Sequence, residues 1–344
     1  VVDSWIVGSL QPDQRYEGVR LDSLRVTSAT EGTAIPRVFA RMRLGGNIIW
    51  ATDFTEHVST TTQGGGKGGG PKVTTSEYSY SASFAVALCG LTQIRRDGNA
   101  FPGENQLKQL AAEVRSVLGP GTKISYAADW SEYFGYHPDD GSGDVFFNLD
   151  KLWADANIDF IGIDNYMPLS DWRDGFEHAD AVAGAPAVYD RAYLQGNIAG
   201  GEGFDWFYAS QADRDAQIRT PITDGAYGKD WVFRYKDLES WWSNPHYDRP
   251  GGVENATPTA WTPQSKPIRF TEFGCPAIDR GTNQPNVFYD PKSSESAAPY
   301  FSRGWRDDAI QRAYLEATAL YWADPANNPV SGTRMDVIVP FLIP

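Results

Sequence analysis

Hydrophobic and polar positions follow two different periods along this chain of 344 residues. From about Val19 to Leu88 they alternate in VRLDSLRVTS, IPRVFARMRLGGNIIWATDF and KVTTSEYSYSASFAVAL, which is the period-two pattern of half-buried β-strands. A glycine-rich segment at 64–70 precedes the last stretch and is typical of a hairpin tip or a linker. The pattern therefore predicts a β-rich region over 1–89.

After Gly90 the pattern changes to strands that alternate with helices. The stretch ENQLKQLAAEVRSVLG repeats apolar residues every three or four positions and predicts a helix that ends at Gly119. Three apolar runs, TKISYAAD, IDFIGIDNYMP and PIRFTEFG, predict strands that are buried on both faces. This alternation indicates a parallel sheet wrapped by helices over 90–340, with 341–344 as a separate fragment.

Each of the three predicted strands ends in a carboxylate: Asp129, Asp164 and Glu272. Barrels of the (β/α) type carry their catalytic side chains at the carboxyl ends of parallel strands, so we expect these three at one edge of the sheet, facing a cleft. An ordinary solvated glutamate is the alternative for Glu272. The alternatives for the other two are a turn started by Asp164 and Asn165, and a helix N-cap at Asp129.

Composition excludes several classes of protein. Hydrophobic residues make up 41% of the chain, enough for a core, and a net charge of −14 argues against binding to nucleic acid or an anionic membrane. No run approaches the roughly 18 apolar residues that span a bilayer, and the first residues lack a signal-peptide pattern. Cys89, Cys275 and four scattered histidines form no metal-binding motif. Lys67 in the glycine-rich segment is not followed by Ser or Thr, so the segment is not a nucleotide-binding loop. We therefore expect no metal and no cofactor.

Tryptophan is unusually frequent, with 12 residues, many of them flanked by polar residues or Pro. Exposed indole rings suit the apolar faces of sugars, while neighbouring carboxylates and amides take the hydroxyl groups. The alternative is that long loops use these rings as packing anchors. The set that raises the carbohydrate hypothesis is Trp130, Trp172, Trp206, Trp231, Trp241, Trp242 and Trp261.

The segments ISYAADWSEYFG, IDFIGIDNYMPLSDWRDG and PIRFTEFGCP resemble the TIM-barrel-like glycoside-hydrolase domain of phage and gene-transfer-agent tail proteins. The resemblance covers about 90–340, and that domain is similar to retaining hydrolases of the large (β/α)₈ clan. The β-rich front resembles the tail-tip hub region of the same proteins and of siphophage host-specificity proteins. The expected fold class is therefore α/β plus β: a (β/α)₈ TIM-barrel-like domain preceded by a β-rich hub region.

The resemblance implies the roles of individual residues. Glu272 in FTEFG matches the nucleophile of a retaining glycoside hydrolase, Asp164 is an orienting or acid/base candidate, and Asp129 and Glu132 are further acid candidates. The clan's usual acid/base glutamate should stand just before Gly90, where this chain has none. Substrate-binding candidates lie close behind the strands: Trp130, Glu132, Asn165, Tyr166 and Trp172.

The resemblance also implies a place for the protein. It would be a virion component at the distal end of a phage-like tail, on a particle that acts outside the producing cell. Its partners would be other tail-tip and tail-tube proteins, further copies of itself, and a host surface polysaccharide or peptidoglycan. The alternatives are an independent glycoside hydrolase and an inactive barrel with an architectural or lectin-like role.

The predicted barrel is short of strands. Only about four α/β strands can be recognised, whereas a (β/α)₈ barrel closes with eight. Either another element completes the sheet, or the sequence joins segments that are distant in the full gene product. In the second case we expect a break in the chain between Cys89 and Gly90, where the pattern changes in one step.

Overall fold

The structure, a computed structural model, describes residues 14–17, 47–63, 72–87, 96–290, 292, 296–328, 330–331 and 333–334. The chain divides into two units, Val1–Gln93 and Ile94–Pro344. Several predictions fall outside the described residues. They concern the strands in 19–44, the glycine-rich tip at 64–70, the break between Cys89 and Gly90, and the fragment 341–344.

The first unit contains a three-stranded sheet. Its strands are β1 (Gln14–Glu17), β2 (Asn47–Gln63) and β3 (Val73–Ala87), in the order β1-β3-β2. β2 and β3 pair antiparallel and β1 pairs parallel with β3. Threonine and serine, which favour or tolerate the pleated conformation, face each other across the pair, as in Thr62 and Thr74 with hydroxyl oxygens 3.3 Å apart. The strands predicted from NIIWATDF and KVTTSEYSYSASFAVAL are present.

The second unit alternates strands and helices, as its sequence pattern predicts. Its described strands are β4 (Ala127–Asp129), β5 (Ile161–Asn165), β6 (Trp206–Phe207), β7 (Thr220–Pro221), β8 (Ile268–Phe273), β9 (Val330–Ser331) and β10 (Thr333–Arg334). Its described α-helices are α1 (Pro102–Leu118), α2 (Asp150–Trp153), α3 (Ala179–Val182), α4 (Arg191–Gly196), α5 (Gln211–Ala216), α6 (Leu238–Ser243) and α7 (Asp308–Ala323).

The central sheet consists of β4, β5 and β8, all parallel, in that order. Ile161 and Ile163 of β5 and Ile268 of β8 are fully buried, which explains the continuous apolar runs in the sequence. No other strand of the described part pairs with this sheet. Over those residues the unit is therefore an open three-stranded sheet, and the closed eight-stranded barrel of the clan is not formed.

This unit contains two long helices. α1 starts with Pro102, whose missing N–H and fixed φ suit the first turn, and ends at Gly119 with φ of 75°. α7 starts at its N-cap Asp307, which accepts the backbone N–H groups of Ala309 and Ile310. The Tyr314 hydroxyl of α7 donates to the backbone of the loop behind β5, 3.0 Å away. Helix α1 is where the sequence predicts it, and α7 supports the segment that leaves the sheet edge.

A long segment between β5 and β8 carries six of the 12 tryptophans. Trp241, Trp242 and Trp261 are almost completely buried, and the first and last of these rings pack around the buried His246. The stretch VFRYKDLESWW forms a 3₁₀ turn followed by the short α6. The packing-anchor alternative is thus the correct one for these three rings. Among the described helices, none is long and apolar enough to cross a membrane.

Candidate active site

The three strand-end carboxylates lie side by side. Asp129 of β4 is the register partner of Asp164 of β5, and Asp164 is the register partner of Glu272 of β8. Neighbouring strands in a sheet are about 4.8 Å apart. The predicted common edge for these residues is therefore confirmed.

A β-bulge sets the position of Glu272. Ile163 pairs with Phe270, but the next residue, Asp164, pairs with Glu272, so that Thr271 is an extra residue in β8. Phe270 is buried, whereas Thr271 and Glu272 are both exposed. The bulge interrupts the strict alternation of faces and presents two successive polar side chains at the end of the strand. Bulges of this kind are frequent beside active sites, where they redirect a side chain.

Glu272 accepts a hydrogen bond from a phenol. The Tyr166 hydroxyl donates to Oε2 of Glu272 over 2.8 Å. Burial raises the pKa of Tyr166, and the bond to Glu272 and the negative charges of Glu272 and Asp164 raise it further. Tyr166 therefore stays protonated and remains a donor to the ionised form of Glu272, which is the form a nucleophile needs.

Asp164 is half-buried and surrounded by negative charge. Burial raises its pKa to about 6; the hydrogen bond donated by Thr271 at 2.6 Å acts in the opposite direction, and the charges of Glu272 and Asp129 raise it again. A carboxyl group with a pKa near 6 holds a proton in a useful fraction of molecules close to neutral pH. Asp164 can thus act as a general acid beside Glu272.

Glu132 is a second carboxyl group with a raised pKa. It lies in the turn after β4, and its two oxygens accept from the Tyr126 hydroxyl at 3.2 Å each. Burial raises its pKa to about 7; the bond to Tyr126 lowers it, and the charges of Asp129 and Asp164 raise it. The sequence suggests Glu132 both for substrate binding and as a proton donor. Its raised pKa supports the second role.

Asp129 is exposed and starts a turn. Its Oδ1 accepts from the backbone N–H of Ser131 at 2.8 Å and from the Ser131 hydroxyl at 2.5 Å. These bonds form an Asx turn, and the described chain has no helix directly after Asp129, so the helix N-cap alternative is wrong. Its charge still acts on Asp164 and Glu132, so it contributes to the electrostatics of the edge.

Two of the substrate-binding candidates are buried. Asn165 is 5% exposed, and its Oδ1 accepts the backbone N–H of Met167 at 3.1 Å, the turn-forming role that was the alternative. Trp172 is 8% exposed and packs in a core cluster with Val188 and Ile310. The prediction that Trp172 stacks on a sugar is wrong, because other side chains enclose its ring.

Trp130 remains at the edge. Its backbone N–H donates to the Asp164 carbonyl over 3.1 Å, and its half-buried ring meets Tyr235 edge to face with centroids 4.7 Å apart. Trp130 directly follows Asp129 in the chain, and Tyr235 packs against one side of its ring. It is the better placed of the two rings that the sequence predicts as stacking platforms.

Sequence reasoning missed Tyr126 and Thr271. Thr271 would be the register partner of Asp164 if the pairing after Ile163 and Phe270 were regular, and its hydroxyl still reaches Asp164 beside the bulge. Tyr126 precedes β4 and reaches Glu132 through a side chain whose partner cannot be read from sequence spacing. The sequence does place a tyrosine near the end of two of these strands, Tyr126 before Asp129 and Tyr166 after Asp164. These tyrosines could have been predicted as hydrogen-bond donors to the carboxylates.

The site consists of carboxyl groups and hydroxyl donors. The four carboxylates of the site are Asp129, Glu132, Asp164 and Glu272. Across the part of the chain that the structure describes, none of them forms an ion pair, and no group of His, Cys, Asp and Glu could hold a metal ion. Catalysis by a pair of carboxyl groups requires that one is protonated, as the acid, while the other is ionised, as the nucleophile, at the same pH. The sequence-predicted residues at this edge are Asp129, Trp130, Glu132, Asp164, Tyr166 and Glu272.

Comparison with known families adds one match. The family model described as the GTA TIM-barrel-like domain matches residues 83–340, about three quarters of the 344 residues. A search of curated proteins found no match. Because the match covers the parallel sheet, both long helices and all four carboxylates, this chain belongs to the GTA TIM-barrel-like domain family.

Proposed function

We propose that this domain cleaves a glycosidic bond with retention of configuration, with Glu272 as nucleophile and Asp164 as acid/base. The observation that carries the proposal is the register pairing of these two residues on adjacent strands, combined with a pKa of about 6 for Asp164. Retaining hydrolases hold their two carboxyl groups about 5–5.5 Å apart, close to the ~4.8 Å between neighbouring strands.

The reaction runs in two displacements. Glu272 attacks the anomeric carbon while Asp164 gives its proton to the leaving glycosidic oxygen, which forms a glycosyl ester on Glu272. Water then attacks that ester and transfers a proton to Asp164, and the Glu272 carboxylate is released. Tyr166 stabilises the ionised Glu272 at the start and at the end of this cycle through its 2.8 Å hydrogen bond.

The remaining residues of the edge would bind the sugar or adjust the pKa of the acid. Trp130 would stack on a sugar ring next to the cleavage point, since its ring is only half-buried. Asp129 adds negative charge that keeps the pKa of Asp164 high. Glu132, with a pKa of about 7, is the alternative proton donor.

The wider role that we propose is that of a tail-tip component of a phage-like particle. The name of the family, which refers to GTA, and the hub-like strands before residue 90 support this role. The substrate would then be a host surface polysaccharide or peptidoglycan, encountered outside the producing cell during attachment. The β-rich region 1–89 would contact further copies of the chain or other tail-tip and tail-tube proteins, because so short a region buries a marginal core alone.

The test is hydrolysis of isolated host surface polysaccharides and peptidoglycan by the full chain. The reaction is monitored through the reducing ends that it releases. We expect Glu272→Gln and Asp164→Asn each to lower the rate by at least ~100-fold. The matched controls are Glu177→Gln and Asp139→Asn, which change exposed carboxylates elsewhere and should keep the wild-type rate. Unchanged hydrolysis by Glu272→Gln, or a product of inverted configuration by NMR, would contradict the proposed mechanism.

A second candidate is glycan binding without cleavage. The exposure of Glu272 at a strand end and the missing glutamate before Gly90 favour it. In that case wild-type protein would bind the polysaccharides in a pull-down assay but release no reducing ends. Glu272→Gln would then change binding only modestly.

A further inference from the structure

One concave surface of the molecule includes none of Asp129, Glu132, Asp164 and Glu272 in its lining. It is a cleft of about 430 Å³, within the ~300–1,000 Å³ typical of ligand pockets. Arg173 and Asp174 come from the segment after β5, Arg280 and Phe301 from the segment after β8, and Gln217 from the end of α5. None of the candidate active-site residues lines it. The mechanism proposed above therefore leaves this cleft unused.

The backbone of the cleft is strained. Gln217, Arg280 and Phe301 have φ of 53°, 59° and 61°, in the left-handed region that disfavours residues with a side chain. Among the described residues other than glycine only one more, Gln264, has a positive φ, and it does not line the cleft. Strain of this kind persists where the surroundings enforce it, and it concentrates at ligand sites. Its concentration in one cleft is the reason to seek a ligand there.

The walls of the cleft are held by buried hydrogen bonds. The Ser170 hydroxyl lies 2.6 Å from the Thr282 hydroxyl and donates to Oδ1 of Asn283, also over 2.6 Å. The Asn283 side chain also bonds both backbone groups of Trp172, each over 2.9 Å. These contacts join the segment behind β5 to the segment behind β8. A cleft held in this way is preformed and needs little ordering when a ligand binds.

The lining combines an aromatic ring with fixed polar groups. The Arg173 guanidinium lies 3.5 Å from the centre of the Phe301 ring, and it donates to Asp171 at 2.9 Å. The Arg280 guanidinium donates to the Phe301 carbonyl and to the Asp174 carboxylate. Both guanidinium groups are thus oriented by acceptors at the cleft, and each has further N–H donors.

The charges of the lining cancel. Arg173 and Arg280 contribute two positive charges, and Asp174 and Asp215 contribute two negative charges. An anionic ligand would meet the two carboxylates and a cationic ligand the two guanidinium groups, whereas a neutral ligand with many hydroxyl groups can use donors and acceptors together. With an aromatic ring beside them, these groups match a sugar. We infer that the cleft is a second carbohydrate site, specific for a neutral saccharide unit.

This inference stands on the cleft and does not depend on the proposed hydrolysis. The test is a binding titration of the full chain by NMR with glucose, galactose, rhamnose and N-acetylglucosamine, and with the charged analogues glucuronate and glucosamine. We expect at least one neutral sugar to bind more tightly than both charged analogues. Phe301→Gly should weaken that binding by about tenfold or more, because the ring is lost.

The chain offers a matched control for this variant. Glycine adopts a positive φ without strain, so Phe301→Gly and Gln264→Gly relieve the backbone in the same way, but only Phe301 lines the cleft. Gln264→Gly should bind as wild type, and unfolding by heat should show that both variants are folded. Asp174→Asn, which leaves the lining positively charged, should weaken neutral sugars and improve glucuronate.

Glu272→Gln separates the two proposals, since it should stop hydrolysis and leave binding at the cleft unchanged. Three results would overturn the inference: wild-type affinity in Phe301→Gly, tighter binding of glucuronate or glucosamine than of every neutral sugar, or no binding of any neutral sugar at about 10 mM.

Discussion

Asp164 and Glu272 face each other across adjacent strands only because Thr271 is an extra residue in β8. Without the bulge, Asp164 would pair with Thr271, whose hydroxyl still donates to Asp164, 2.6 Å away. The irregularity thus brings Glu272 beside Asp164 without removing this donor. Burial raises the pKa of Asp164, the Thr271 bond lowers it and the charge of Glu272 raises it, so the bulge also affects how readily Asp164 carries a proton.

The hydrogen bond from Tyr166 to Glu272 should matter for the rate and little for folding. Tyr166→Phe removes a single hydroxyl whose partner is exposed and can be solvated. We expect hydrolysis of the best polysaccharide to fall about ten- to hundredfold, the equivalent of a bond to a charged group worth ~1.5–3 kcal/mol. Tyr189→Phe is the matched control, since that phenol donates to Asp307 at 2.6 Å away from the four carboxylates. Equal rates in both variants would argue against a nucleophilic Glu272.

The pH dependence of the rate should report the acid. Asp164 donates its proton only in the protonated form, so activity should be present below a pH of about 6 and lost as the pH rises through that value. Asp129→Asn removes a negative charge that raises the pKa of Asp164, and should move this alkaline limb to lower pH. A limb near pH 7 that disappears in Glu132→Gln would instead identify Glu132 as the acid.

The sequence was sufficient to predict the sheet edge. The runs before Asp129, Asp164 and Glu272 are apolar because their strands are covered on both faces, and parallel strands bring their carboxyl ends together. The bulge at Thr271 was not predictable, because register depends on the neighbouring strand and the local sequence is compatible with regular alternation. The resemblance implies a (β/α)₈ barrel of which only about four strands can be recognised in the sequence, and the described strands form an open sheet.

The role of Trp172 illustrates why the remaining error arose. Its neighbours Asp171 and Arg173 suggested an exposed ring, since charged residues are mostly found at the surface. In the structure these two neighbours bond to each other over 2.9 Å, and Asp171 also accepts from Arg219. Paired charges can be buried together with the ring between them. Long-range pairs of this kind cannot be inferred from the flanking residues of a tryptophan.

The raised pKa of Glu132 should make stability depend on pH. Folding raises this pKa from 4.5 to about 7, so the folded state holds the extra proton between these values and its stability falls as the pH rises through them. Glu132→Gln keeps an acceptor for Tyr126 and removes the charge. We expect the free energy of unfolding at pH 8 to increase by about 1–2 kcal/mol, and to change little at pH 4. The exposed Glu113→Gln on α1 should alter it by less than ~0.5 kcal/mol at either pH.

Asn283 should be essential for the loops that follow β5 and β8. Its buried carboxamide bonds Ser170, both backbone groups of Trp172 and the Tyr300 carbonyl. Asn283→Ala leaves several of these groups buried without a partner, and we expect a loss of about 3 kcal/mol in denaturant unfolding. Asn157→Ala, where the half-buried side chain bonds only Asp155, should cost less than ~1 kcal/mol. Similar losses in the two variants would show that Asn283 does not join the loops.

Gly162 fixes the approach of β4 to β5. It pairs with Ala127, and a methyl group at its Cα would lie 2.5 Å from the backbone carbonyl of Tyr126, which cannot rotate away. Gly162→Ala must therefore push β4 from β5 and separate the carboxylates at the strand ends; we expect a loss of ~1–3 kcal/mol in stability together with most of the activity. Gly196→Ala meets open space inside α4 and should instead be neutral or stabilising by up to ~1 kcal/mol. Full activity in Gly162→Ala would mean that catalysis does not need β4 and its neighbours in their observed register.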